Sequence, residues 1–118
     1  MNSIVLSGRL VKDIDVKQTD GGTAYTRNTL AVERWDSKKK QTKTIFVDFV
    51  TFAYSANFLG KYCHKGSRVT ILGELDCTTK ESDDGKSVKY WSVIANVAEA
   101  EKTEPVSEGT EEQLPFEV

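Results

Sequence analysis

"TIFVDFVTF", Thr44 to Phe52, is dense in β-branched and aromatic residues, the types that suit a pleated surface. It reads as a strand whose apolar side chains occupy both parities, so both of its faces must meet something. The next stretch, "YSANFLGKYCHKG", Tyr54 to Gly66, abandons that period. Phe58, Leu59, Tyr62 and Cys63 fall on one helical stripe, Ser55 is placed to cap the start, and Gly66 is placed to close the end. "RVTILGELDC", Arg68 to Cys77, then alternates again, with Val69, Ile71, Gly73 and Leu75 on one side.

Outward from this strand-helix-strand unit, the remaining segments are all β in pattern. "NSIVLSGRLV", Asn2 to Val11, places Ile4, Leu6, Gly8 and Leu10 on one side, and Gly8 in mid-strand suggests the sharp bend that small barrels need. "TDGG", Thr19 to Gly22, is expected to turn this first strand back into a second over about Thr23 to Trp35. "DSKKKQTK", Asp36 to Lys43, is polar and aperiodic and reads as an exposed loop. "KESDDGKS", Lys80 to Ser87, makes a charged loop before a last strand, "VKYWSVIANV", Val88 to Val97. Five strands with one short helix between the third and fourth describe an all-β, five-stranded Greek-key OB-fold barrel, a fold that binds oligonucleotides across strands two and three and the loops L12 and L45.

The chain has 118 residues, enough for one core. Its net charge of −2 conceals an asymmetry: residues 1 to 98 hold 15 Lys and Arg against 11 acids, whereas residues 99 to 118 hold Lys102 against seven Glu. We therefore divide it into a mildly basic barrel domain, residues 1–98, and an acidic, disordered C-terminal tail, residues 99–118. No apolar run is long enough to cross a bilayer and the start is not signal-like, so a cytoplasmic protein without a membrane partner is expected. Cys63 and Cys77 are the only cysteines and His64 the only histidine, which argues against a disulfide framework, a zinc site or any other cofactor. No nucleophile stands in a recognisable relation to a base, so no catalytic residues and no enzyme activity are expected.

If Ile45, Val47, Phe49 and Thr51 face the core, then Phe46 and Phe52 point outward, with Trp35 near enough to join them. Exposed rings invite unpaired bases; the alternative is that they form core or a subunit interface. Arg9, Lys17, Arg27, Arg34, Lys38, Lys39, Lys40, Lys43, Lys80, Lys86 and Lys89 lie mainly in the strands and loops around the same face. Cations for phosphates interleaved with flat apolar surface for bases are what a single strand needs.

"NSIVLSGRL", the paired Gly21 and Gly22, "NTLAVERW" (Asn28 to Trp35), "IFVDFVTF" and above all "YCHKGSRVTILGEL" (Tyr62 to Leu75) resemble, in order and spacing, the bacterial-type single-stranded DNA-binding proteins. The last looks like that family's Y-x-x-K-G-x-x-V-x-x-x-G-x-L signature. The resemblance, covering about Asn2 to Val97, implies an OB-fold that binds and protects single-stranded DNA in replication, recombination and repair. It carries stacking roles to Trp35, Phe46 and Phe52, and it aligns Lys80 with an aromatic that the family often has in L45. It also implies a homotetramer, with a dimer compatible, and a tail tip that docks replication and recombination proteins: Glu111, Glu112, Leu114, Pro115 and Phe116 look like that tip. Glu117 and Val118 follow Phe116, displacing the terminal carboxylate, and the linker is short, which suggests a phage- or plasmid-encoded copy. The rival expectation is an OB-fold adaptor whose aromatic face binds protein rather than DNA.

Overall fold

The structure, a computed structural model, describes residues 1–101. Its elements run β1 (Ile4–Leu10), β2 (Lys17–Gln18), β3 (Ala24–Asp36), β4 (Gln41–Phe52), α1 (Ala53–Tyr62), β5 (Arg68–Glu81) and β6 (Ser87–Ala100). Strand order β1-β5-β6-β4-β3 closes on itself because β1 also pairs β3 through Arg9 with Ala31 and Leu10 with Leu30. This is the five-stranded OB barrel with one helix between the strands on either side of it. The two-residue β2 is an appendage on β3.

Gly8 marks where β1 closes the ring on β3, and Gly73 a second close approach, of β5 to β6. A Cβ on Gly8 would run into the carbonyl oxygen of Ala31, and one on Gly73 into that of Ile94. Only a residue without a side chain lets the strands approach this closely. A one-residue bulge in β6 opposite the step from Thr70 to Ile71 adds further bend.

The core contains Leu10, Leu30, Phe49, Leu59, Cys63, Val69, Ile71, Val93 and Ala95. The helix contributes through Leu59, and Phe58 and Tyr62 pack against this cluster, as their stripe predicts. Ser55 does not cap the helix: Phe52 occupies the N-cap position without a side-chain bond. Ser55 is instead buried in the first turn, where its hydroxyl accepts the Val97 N–H at 3.1 Å and pins the helix to β6. Gly66 does not close the helix either, which ends at Tyr62; its φ of 92° serves the following turn, where its N–H donates to the Leu10 carbonyl.

Strand boundaries differ from expectation in three places. The first strand stops at Leu10, and the "TDGG" turn joins β2, not β1, to β3. The intervening segment is tied down by side chains: Asn28 bonds both backbone groups of Lys12, and the Thr26 hydroxyl donates to the Asp15 carbonyl. The basic loop shrinks to residues 37–40, because the ladder continues through Trp35 with Thr42 and Asp36 with Gln41. The Asp36 carboxylate accepts the Lys38 and Lys39 N–H groups, turning the chain in so few residues. On the other hairpin, β5 runs on to Glu81 and β6 to Ala100, two residues past the expected domain boundary.

Candidate nucleic-acid interface

The β3–β4 register decides which side chains share a face. Tyr25 stands opposite Phe52, Arg27 opposite Val50, Thr29 opposite Asp48, Ala31 opposite Phe46 and Trp35 opposite Thr42, all on the side away from Leu30 and Phe49. Trp35 is 62% exposed, Phe46 65% and Phe52 40%. All three expected rings therefore lie on one outward surface, spread over roughly 30 Å of strand at about 3.3 Å per residue. Phe52 also meets Tyr25, ring centroids 6.3 Å apart. Val50 shares their parity but is buried, so this face of β4 is divided between open surface and packing.

Beside this face, a groove of about 550 Å³ opens toward the β5–β6 hairpin. Lys12, Arg27, Lys80, Asp48, Tyr90 and Trp91 are among its lining residues. Tyr90 and Trp91 are both more than half exposed, and the Lys80 ammonium stands 5.6 Å from the centre of the Tyr90 ring. The position aligned with an L45 aromatic is thus a lysine with a tyrosine beneath it. Lys12, Tyr90 and Trp91 were not among the expected site residues. The adjacent aromatics of "YW" were the available signal, since neighbours in a strand point to opposite faces and both cannot enter one core.

The expected cations do not all gather here. Arg34 and Lys43 sit opposite each other on the other face of the β3–β4 hairpin from Trp35, because their parity is that of Leu30. Lys38, Lys39 and Lys40 crown that hairpin, and Lys86 lies in the turn of the β5–β6 hairpin. Lys89 is opposite Thr79, on the Trp91 parity. Lys17 is 3.8 Å from Asp15, the one ion pair among the described residues. Arg9 opens onto a separate polar hollow with Ser7, Glu33, Thr44 and Arg68, its guanidinium donating to the Gly66 carbonyl at 3.0 Å.

Ionisation is perturbed away from this surface. Burial, with Glu101 nearby, pushes the Cys63 thiol up, and the Ser82 hydroxyl lowers Asp84 in the β5–β6 turn. Both cysteines are free, and among the described residues no three His, Cys, Asp or Glu side chains are placed to hold a metal ion. No helix is long and apolar enough to cross a membrane among these residues. The expected tail tip, Glu111 to Phe116, lies outside the described residues.

Residues 1–101 match the sequence model described as the single-strand binding protein family. The chain belongs to that family. Among its relatives, the single-stranded DNA-binding protein of Fusobacterium nucleatum is 36% identical over 114 residues, spanning 94% of this chain and 73% of that one. The single-stranded DNA-binding protein of Thermotoga maritima is 37% identical over 119 residues, spanning 96% and 84%. A solved structure described as a Plasmodium falciparum SSB complex with ssDNA superposes with a TM-score of 0.71 at 24% identity, covering 86% of this chain and 91% of that one. It shares the barrel fold with this family member.

Proposed function

We propose that the chain binds single-stranded DNA at no defined sequence, keeping strands unpaired and shielded during replication, recombination and repair. One observation carries the reading: in a member of this family, Trp35, Phe46 and Phe52 lie exposed on one face beside a groove lined by Lys12, Arg27 and Lys80. Bases stack on the rings, and phosphates pass along the cations, with Lys38 to Lys40, Lys86 and Lys89 lengthening the attraction beyond the groove. Lys17, paired with Tyr25, and Arg9, paired with Ala31, flank the ring-bearing face outside the groove, whereas Arg34 and Lys43 lie on the other face of the β3–β4 hairpin and act through the long-range field.

The work is binding, not catalysis, and it takes place in the cytoplasm. The DNA-binding domain runs through the end of β6, residues 1–101, and the acidic residues that follow serve as an arm. Its tip, Glu111, Glu112, Leu114, Pro115 and Phe116, recruits replication and recombination proteins, the Phe entering an apolar pocket of the partner with basic residues around it. The protein works as a homo-oligomer, a tetramer or a dimer. Val5 and Leu72, directly paired and exposed on the outside of the barrel, supply apolar surface for that association.

Titration with oligo-dT while following tryptophan fluorescence tests this reading. Stacking quenches Trp35, and engagement of about five phosphates makes log affinity fall with log salt at a slope near −3.5. An adaptor whose rings bind protein would stay bright, and salt-independent affinity would count against the groove.

A further inference from the structure

The groove holds an acid among its cations. Asp48 is exposed on β4, on the same face as Phe46 and Phe52, and lines the groove with Lys12, Arg27 and Lys80. Its Oδ1 accepts the Thr29 hydroxyl across the ladder at 2.7 Å. No other hydrogen bond and no ion pair within the described residues engages the carboxylate. A surface concerned with phosphates alone gains nothing from a negative charge at this place.

The chemistry of bases supplies a reason. Asp48 lies two residues from Phe46 along the strand, about 6.6 Å, so a base stacked on that ring brings its edge toward the carboxylate. In a single strand the Watson–Crick edges are unpaired and open to side chains. An ionised carboxylate only accepts. Cytosine offers its N4 amino group and guanine its N1–H with the N2 amino group, whereas thymine presents one N–H between two carbonyl oxygens that the carboxylate repels. The Thr29 bond holds the carboxylate in one orientation.

We propose that Asp48 reads base edges, giving the surface a preference for amino-bearing bases, cytosine and guanine foremost, over thymine. Binding then needs no defined sequence but is graded by composition. The inference rests on the single-stranded DNA reading above.

Equal-length oligo-dC and oligo-dT, titrated at neutral pH against wild type, Asp48→Ala and Asp48→Asn, test it. In Asp48→Ala the ratio of dC to dT affinity falls by about fivefold or more, the scale of one good base contact, because dC loses its acceptor while dT is freed of a repelling carboxylate. Asp48→Asn, isosteric and able to donate to thymine carbonyls, brings dT up relative to dC. If all three proteins bind both oligonucleotides with the same ratio, the base-reading role is wrong while the binding function stands. If the wild type binds neither, the proposed function fails and the inference with it.

Discussion

Asn28, buried on β3, forms two bonds with one residue of the neighbouring loop: its Nδ2 donates to the Lys12 carbonyl at 3.0 Å, and its Oδ1 accepts the Lys12 N–H at 3.2 Å. The pairing imitates a strand where β1 has already ended, and it sets Lys12 at the mouth of the groove. Asn28→Ala removes both bonds and leaves a void beside Leu30. We expect a loss of about 1–3 kcal/mol of stability, the cost of buried polar partners left unpaired, read from urea denaturation.

Tyr90 lies under Lys80 on the β5–β6 hairpin and faces the groove. If a base stacks there, Tyr90→Ala weakens oligo-dT binding by about 1–3 kcal/mol, whereas Lys80→Ala lowers the magnitude of the salt slope by about 0.7. Affinity unchanged by Tyr90→Ala would remove this ring from the binding surface. The two substitutions separate stacking from phosphate attraction at one place.

Gly8 stands where β1 crosses β3, and a Cβ there would come within 2.9 Å of the Ala31 carbonyl carbon and closer still to its oxygen. The obstacle is backbone, which cannot swing aside as a side-chain tip can. Gly8→Ala should therefore cost about 1–3 kcal/mol or more in thermal or chemical unfolding. A neutral outcome would mean that β1 and β3 can part at Gly8 without loss.

Cys63 has its thiol held up by burial, with Glu101 adding to the effect. As pH rises, the unfolded thiol ionises first while the folded one keeps its proton. The stabilisation is complete below the ordinary thiol range, about 8.5, and is lost as pH climbs through the raised folded value. The stability difference between wild type and Cys63→Ser should therefore shift against the wild type on going from neutral to alkaline pH. Iodoacetamide should modify the less buried Cys77 first in the native protein; equal rates would contradict the packing of Cys63.

Much of the barrel is legible locally. The alternation of Ile4, Leu6 and Leu10, of Val69 and Ile71, and of Phe49 and Thr51 determines which side turns inward, because a strand's side chains have a period of two. The same parity turns Phe46 and Phe52 outward, and the 3.6-residue stripe of Phe58, Leu59 and Tyr62 identifies the helix between the strands. These features depend on neighbours in the chain, so a linear reading reaches them.

What the sequence could not decide is set by partners distant along it. Ser55 looks like a cap until β6 brings the Val97 N–H to its hydroxyl. Arg34 and Arg27 look alike as groove cations until the β3–β4 register sends them to opposite faces. Tyr90 and Asp48 are separated by 42 positions, yet ring closure sets both on one groove. A sequence by itself specifies the period and polarity of each element. Which charges, rings and acids stand together is settled by the pairing of remote strands, and that pairing exists only once the barrel has closed.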